Sequence, residues 1–167
     1  MHLKEFNQLS ENDALSFLKN CVHIERWGSL ITQQRPFNST TELYDFATQQ
    51  AKTWTWEEIK NALDTHPRIG EKKAKNELSE QEANFSHREQ STLSQDHAIL
   101  DQIYNGNIAY EKRFGYIFLI KASGLTSEEI LTALNYRLIN DPEIEKRIVH
   151  QQLLEIALLR LQQEVEE

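Results

Sequence analysis

The sequence predicts an all-α fold, a helical bundle that forms a single domain over residues 1–167 with one short extended segment at about residues 114–122. Helix start signals followed by apolar residues at helical spacing recur along almost the whole chain. The chain has only 5 glycines and 3 prolines, too few for the frequent turns of a β-sandwich or barrel. Residues 114–120 are aromatic and β-branched, which is typical of a short strand or a buried extended linker. Because one strand cannot build a sheet, the helices define the fold class.

Four helices are predicted in the first half of the chain, and three of them follow a residue whose side chain can cap a helix. In chain order, the first helix follows Ser10, the second spans residues 41–51, and the third spans residues 56–63 after Thr55. The fourth follows Ser79 and carries residues 86–90. Between the third and fourth helices the pattern is polar and basic, and Pro67 and Gly70 break any helix there.

Three further helices are predicted in the second half. The first covers about residues 94–113, and Thr126 caps the next one, which continues through a set of leucines and an isoleucine at helical spacing. The last runs from about residue 142 to residue 165. Pro142 suits its first position because the missing N–H would be unpaired there in any residue.

Composition excludes several functional classes. The chain carries 18 Lys and Arg against 26 Asp and Glu, a formal charge of −8 without a basic stripe, so nucleic acid is not an expected partner. Cys21 is the only cysteine, which rules out an intrachain disulfide and a thiolate metal cluster. No run approaches the roughly 20 apolar residues of a spanning helix, and no signal peptide is recognisable, so no membrane partner and a cytoplasmic location are expected.

His66 is the first candidate for chemistry. It precedes Pro67, which pushes the backbone of the histidine away from the helical region and fixes how its ring leaves the chain. A histidine exchanges protons near neutral pH, since its unperturbed pKa is about 6.5. The alternative is an ordinary histidine in a surface loop.

The helix after Ser79 supplies a second set of polar groups. Ser86 stands three positions before Glu89 and four before Gln90, so all three share one helix face. Such a face offers a hydroxyl, a carboxylate and an amide to one polar ligand. The alternative is a solvated face, and the neighbouring Glu82 is expected to be solvated.

Arg160 is the third candidate, because it follows an apolar stripe of the last helix. Leu153, Ile156 and Ala157 lie seven, four and three positions before it. A guanidinium that turns toward a core must be paired, either with Glu89 or with the anion of a ligand. The alternative is an arginine whose head group reaches back to water.

Six short motifs occur in order along nearly the whole chain. They are Arg35-Pro36-Phe37, His66-Pro67, Ser86-x-x-Glu89-Gln90, Tyr110-x-x-Arg113-Phe114-Gly115-x-x-Phe118, Arg137-Leu138-x-Asn140 and Ile156-Ala157-x-x-Arg160-Leu161. Together they resemble the 2-oxo-4-hydroxy-4-carboxy-5-ureidoimidazoline (OHCU) decarboxylase family of urate breakdown. The resemblance implies an all-helical, usually homodimeric enzyme, without metal or cofactor, that converts OHCU to S-allantoin and CO2.

The resemblance also implies roles for individual residues. His66 matches the family's catalytic histidine, and we expect Glu89 to assist it in proton transfer. The remaining matches are to substrate-binding positions: Pro67, Ser86, Gln90, Arg160 and the backbone of Phe118, Leu119, Ile120, Lys121 and Ala122. Many members of the family have Asp-Leu-Ala-Gly after the His-Pro pair, where this chain has Arg-Ile-Gly-Glu at residues 68–71, so this loop departs from the family pattern.

Two other functions compete with the decarboxylase. One is a helical interaction module that keeps the fold and binds a partner protein in its groove. The other is an enzyme on the same scaffold that acts on a related ureido or imidazoline acid. The set of His66, Glu89 and Arg160 favours an enzyme, since a module has no need of all three.

Overall fold

The computed structural model describes residues 1–71, 76–91 and 96–167, and it confirms the predicted all-α class. The described ranges contain nine helices: α1 (Leu3–Gln8), α2 (Glu11–Cys21), α3 (Glu25–Gln34), α4 (Thr40–Ala51), α5 (Trp56–Leu63), α6 (Glu80–Glu89), α7 (His97–Phe114), α8 (Ser127–Arg137) and α9 (Pro142–Glu164). Within the same ranges there is no β-strand, and the isolated bridge between His2 and Glu166 is not part of a sheet. None of these nine helices combines the length and apolar character that crossing a membrane needs.

The predicted caps begin their helices as expected. Four side-chain hydroxyls each accept a hydrogen bond, at 3.1 to 3.2 Å, from the backbone N–H three residues on: Ser10, Thr55, Ser79 and Thr126. The helix predicted from about residue 94 begins in the described residues at His97, with Asp96 as its cap, and Ser94 itself lies outside them.

Two helices, α1 and α3, were not predicted, and each lacks a clear sequence signal of a helix. The cap of α3 is Ile24, whose side chain has no acceptor for the first-turn N–H groups. The six residues of α1 are too few to show a helical repeat. Its position depends on the other end of the chain, because Leu3 N–H donates to the carbonyl of Glu166 at 2.7 Å.

The described residues divide into two compact units, of which the first comprises Met1–Ala62 and Leu153–Glu167. In this unit α3 packs against both α2 and α4. Trp27 of α3 is buried there, and its indole N–H donates to the carbonyl of Ala47 at 2.9 Å. A buried indole with a satisfied N–H is a strong anchor between two helices. That the whole chain behaves as one domain stays a prediction.

The second unit comprises Leu63–Gln152, and its core lies between α7 and α8. The buried core cluster consists of Ile69, Ile103, Tyr110, Phe118, Ile120, Ala122, Ile130 and Leu134. Residues 115–126 lie outside any helix, so the strand alternative for this stretch is wrong, and the stretch is a linker in which residues 118–120 and 122 are buried. The turn after His66 and this linker therefore pack into one core.

Gly106 sets how closely α7 approaches α8. A Cβ atom at this position would lie 2.5 Å from Cδ2 and 3.1 Å from Cγ of the fully buried Leu134. We expect Gly106→Ala to lower the free energy of unfolding by about 1–2 kcal/mol, since overpacking outweighs the roughly 1 kcal/mol that alanine gains over glycine in a helix. Urea unfolding measures the change.

Gly28 of α3 provides the matched control for this substitution. Its Cβ would meet the nearest atom, Cβ of Leu18, at an ordinary contact distance of 3.5 Å. We therefore expect Gly28→Ala to leave the unfolding free energy unchanged or to raise it by up to about 1 kcal/mol. A Gly106→Ala variant as stable as Gly28→Ala would show that α7 and α8 tolerate a wider separation.

Candidate active site

The turn after α5 carries His66 into the interior of the second unit. Its backbone N–H donates to the carbonyl of Leu63 at 3.1 Å, which ends the helix just before the turn. The histidine is only 6% exposed and Pro67 is buried, so the surface-loop alternative is wrong. Gly70 completes the turn at φ +89°, a left-handed conformation that glycine adopts at little cost.

The polar face of α6 adjoins this turn. Gln90 Oε1 accepts a hydrogen bond of 2.9 Å from the backbone N–H of Gly70, four residues after His66. Ser86 is buried, and Glu89 and Gln90 are half-buried, so the face is not simply solvated. This side-chain hydrogen bond joins the histidine turn to the Ser86–Glu89–Gln90 face.

The prediction that Glu82 is solvated was wrong. This residue was expected to be solvated, but it is 4% exposed. Its carboxylate accepts the backbone N–H of Ser79 at 3.0 Å while the hydroxyl of Ser79 accepts the N–H of Glu82. The capping box turns the carboxylate back onto the helix start, but it does not by itself bury it, since Glu129 of the equivalent box at Thr126 is exposed.

Arg160 is buried in the first unit, at 2% exposure. The apolar stripe before it is buried as predicted, and the alternative in which the guanidinium reaches water is wrong. Nη1 of Arg160 lies 3.5 Å from the carbonyl oxygen of Cys21. Burial raises the pKa of the Cys21 thiol to about 12, and the nearby Arg160 only partly offsets this, so the thiol stays protonated at neutral pH.

Residues 118–122 form the candidate backbone contact to a substrate. Phe118, Leu119, Ile120 and Ala122 are buried, and Lys121 is half-buried. The carbonyl of Leu119 and the N–H of Lys121 are each held by a side chain from elsewhere in the second unit. Since Ile69 shares the core of Phe118, Ile120 and Ala122, this segment and the His66 turn pack together.

The sequence did not assign a role to Arg137, although the signal used for Arg160 was present there. Arg137 stands three positions after Leu134 and seven after Ile130, at the edge of an apolar helix stripe. It is 5% exposed and pairs with Glu145, with 2.6 Å between Nη2 and Oε1. The same periodicity predicts both buried arginines.

The loop that departs from the family pattern is held by an ion pair. Nε and Nη2 of Arg68 donate to the two carboxylate oxygens of Glu111 in α7, at 2.7 and 2.8 Å. This pairing raises the pKa of Arg68, chiefly through the hydrogen bonds to Glu111. Asn107 donates to the carbonyl of Ile69 at 3.3 Å and adds a second contact from α7 to the same loop.

Two of the pockets in the described residues have linings that can be compared with the candidate residues. One of about 340 Å³ is lined by Arg68 and Glu71 together with residues of α7 and so adjoins the loop after Pro67. The other, of about 410 Å³, lies between α2 and α3 in the first unit and is lined by none of the candidate residues. Neither of these two pockets is lined by a candidate site residue, and the first of them adjoins the turn that carries His66. In the described ranges, no group of three His, Cys, Asp or Glu side chains is arranged to hold a metal ion.

Known proteins resemble this chain in sequence. The family model for OHCU decarboxylase matches residues 7–162. The uric acid degradation bifunctional protein TTL of Arabidopsis thaliana is 30% identical over 148 residues, which are 86% of this chain and 44% of that protein. The uric acid degradation bifunctional protein of Bacillus sp. (strain TB-90) is 25% identical over 165 residues, 98% of this chain and 32% of that protein. The chain thus spans less than half the length of these curated relatives.

Solved structures resemble it in fold. A crystal structure of OHCU decarboxylase in the presence of (S)-allantoin matches with a TM-score of 0.71 and 25% identity, over 87% of this chain and 94% of that one. A crystal structure of (S)-allantoin synthase matches with a TM-score of 0.73 over 99% of this chain and 54% of that one, and at 18% identity it supports the fold alone. With the family model covering residues 7–162, this chain belongs to the OHCU decarboxylase family.

Proposed function

We propose that this chain decarboxylates OHCU to (S)-allantoin and CO2 without a cofactor. The observation that carries the proposal is the buried His66 turn, which Gln90 joins to the polar face of α6. A histidine, a hydroxyl and a carboxylate are thereby held on neighbouring elements of one unit. Membership of the OHCU decarboxylase family supports the choice of substrate.

The chemistry of OHCU suits these residue types. One ring carbon carries both a carboxylate and a hydroxyl, and the adjacent C=N bond accepts the electron pair released when the C–C bond to CO2 breaks. The reaction therefore needs no external electron sink. What remains for the protein is to move protons and to bind an anion.

As CO2 leaves, the released electron pair forms a C=C bond to the neighbouring carbon and the former C=N nitrogen takes up a proton, while His66, assisted by Glu89, accepts the hydroxyl proton. A positioned acid then delivers a proton to one face of the neighbouring carbon of this enolate-like intermediate, which leaves a carbonyl on the first carbon and sets the S configuration. General acid–base assistance of this kind is worth about 10²–10⁴ in rate. The role of His66 is supported by its match to the family's catalytic histidine, and the role of Glu89 is inferred from the chemistry of a carboxylate.

Binding is assigned to the remaining candidate residues. Arg160 supplies a buried positive charge for the substrate carboxylate, since a guanidinium pairs with a carboxylate in a fixed geometry. Ser86 and Gln90 form hydrogen bonds to the ring or the ureido group of the substrate. Pro67 packs beside the histidine, and the backbone of residues 118–122 contacts the ring.

The resemblance also leads us to propose a homodimer and a cytoplasmic location. The small molecule OHCU is the expected partner, and a formal charge of −8 argues against nucleic acid. Sedimentation measures the oligomeric state directly. A monomer at micromolar concentration would contradict the dimer without affecting the reaction.

The proposed activity is tested by following OHCU, generated in situ, together with released CO2. We expect the protein to consume OHCU much faster than the spontaneous decay and to release one CO2 for each OHCU. An imidazoline acid without the ureido group should react far more slowly. A protein that leaves OHCU at the spontaneous rate would contradict the proposal and favour the interaction module, and a preference for the second acid would favour the related-substrate enzyme.

A further inference from the structure

The linker at residues 118–122 has to satisfy its backbone polar groups without a helix or a strand partner. Buried backbone N–H and C=O groups in proteins are nearly always paired. Here two side chains supply the pairing: Nη1 of Arg137 donates to the Leu119 carbonyl at 2.7 Å, and the Lys121 N–H donates to Oε1 of Gln152 at 2.8 Å. These two anchors flank Ile120 on either side.

The first anchor is itself held rigidly. Nε of Arg137 donates to Oε1 of Glu145 at 2.7 Å, and the guanidinium lies over the Phe118 ring, 4.5 Å from its centroid. Both members of the ion pair are buried. The planar fork of an arginine fixes several contacts at once, so it can hold a carboxylate and a carbonyl in one geometry.

The carboxylate of Glu145 is also fully engaged. The hydroxyl of Tyr110 donates to Oε1 at 2.7 Å, and Nδ2 of Asn140 donates to Oε2 at 3.0 Å. Burial, and then the hydrogen bond to Glu145, raise the pKa of Tyr110, so the phenol remains a donor. Tyr110, Arg137 and Asn140 belong to two of the six sequence motifs, have no other role in the proposed mechanism, and meet at this carboxylate.

Stability alone does not explain a buried ion pair. Replacing such a pair by apolar side chains of similar volume is often neutral or stabilising, because the charges lose their hydration on burial. What an apolar replacement would remove is the hydrogen bond to the Leu119 carbonyl. The buried cluster is therefore better explained by its hydrogen bond to the linker backbone, which fixes the position of the Leu119 carbonyl.

Ile120 lies between the two anchored peptide groups and is 9% exposed. Its own N–H and C=O make no hydrogen bond to any residue in the ranges 1–71, 76–91 and 96–167. A donor and an acceptor left together in a buried segment point to a ligand that supplies both partners. A cyclic amide, –NH–C(=O)–, has that pattern.

We propose that Arg137 and Gln152 are positioning residues, which fix the peptide groups on either side of Ile120 so that its N–H and C=O bind the ring amide of the substrate. This assignment rests on the proposed function. It adds two side chains that act through the backbone and do not touch the substrate. Their effect is on ring placement, which governs both KM and the face that receives the proton.

Two variants test the assignment. Gln152→Leu removes the acceptor for Lys121 and is the milder change, because Gln152 is half-buried. Arg137→Lys keeps a charge opposite Glu145 but loses the planar fork. We expect each to lower kcat/KM for OHCU about tenfold, mainly through KM, and to lower the enantiomeric excess of allantoin. The midpoint of urea unfolding should stay within the error of the wild type for Gln152→Leu.

Two further glutamine substitutions serve as controls. Gln151→Leu makes the same change one position away on the exposed side of α9 and should leave kcat/KM and the enantiomeric excess at wild-type values. Gln152→Glu retains an acceptor for the Lys121 N–H and should recover most of the loss in Gln152→Leu. A purely structural role would lower the unfolding midpoint and leave the kinetic constants of the folded protein unchanged.

A second readout does not depend on turnover. In ¹⁵N-labelled wild-type protein, we expect (S)-allantoin to shift the amide resonance of Ile120, and we expect a weaker shift in Gln152→Leu. An active wild type whose Ile120 amide does not respond, or variants with wild-type kinetics and stereochemistry, would overturn the positioning role alone. A wild type that does not accelerate OHCU decay would overturn the proposed function, and this assignment with it.

Discussion

Replacing His66 with alanine is expected to lower kcat for OHCU decarboxylation by about 10²–10⁴. The imidazole is the group that receives the hydroxyl proton as CO2 leaves, and alanine cannot do so. Because binding falls mainly to other residues, KM should change much less than kcat. Single-turnover kinetics with OHCU generated in situ separate these two effects.

The burial of His66 requires a second variant. At 6% exposure the ring occupies interior space, so alanine leaves a small cavity and some loss of stability is expected. His66→Gln retains much of the volume and a polar end group but does not act as a base near neutral pH. It should therefore lose kcat to a similar extent while unfolding at nearly the wild-type urea concentration.

His87 provides the matched control. It lies on α6 close to Ser86, but it is exposed and no step of the mechanism uses it. His87→Ala should keep wild-type kcat and KM. If His66→Gln decarboxylated OHCU at the parental rate, the histidine would have no catalytic role and the proposed mechanism would fail.

Replacing Arg160 with leucine is expected to raise KM for OHCU about 30-fold or more, equivalent to roughly 2 kcal/mol. The physical reason is the loss of a buried cation from the position assigned to the substrate carboxylate. Arg160→Lys keeps the charge without the planar fork, so its KM should fall between those of wild type and leucine. Initial rates over a range of OHCU concentrations give the comparison.

Arg147 lies on the same helix, α9, and is exposed, so Arg147→Leu is the matched control. It removes one positive charge from the surface and should leave KM within twofold of the wild type. Circular dichroism at the assay temperature verifies that each variant is folded. An unchanged KM and kcat in a folded Arg160→Leu variant would remove this residue from the site.

Most helices could be predicted because their start signals are local. Ser79 and Thr126 each stand before an acidic residue at the third position, and the hydrogen bonds form as that spacing implies. The helix that begins after Ile24 was missed because its cap has no polar side chain. The burial of Glu82 has no local signal, because Glu129 stands at the same capping position of another helix and is exposed.

The candidate site could be predicted only in part. His66, Glu89 and Arg160 belong to short motifs, and the burial of Arg160 follows from its place on an apolar stripe. The partners of residues 118–122 could not be predicted, because Arg137 is 18 residues from Leu119 and Gln152 is 31 residues from Lys121. Contacts at such separations depend on how helices pack, which no local pattern encodes.

The central claim is that this protein delivers a proton to one face of the intermediate that forms from OHCU, and the enantiomer of allantoin reports this most directly. Protonation by solvent favours neither face and gives racemic allantoin. With wild-type protein we expect rapid formation of (S)-allantoin in large excess, and with His66→Gln we expect slow formation of nearly racemic product. Racemic allantoin from the wild type, formed at the spontaneous rate, would contradict the account.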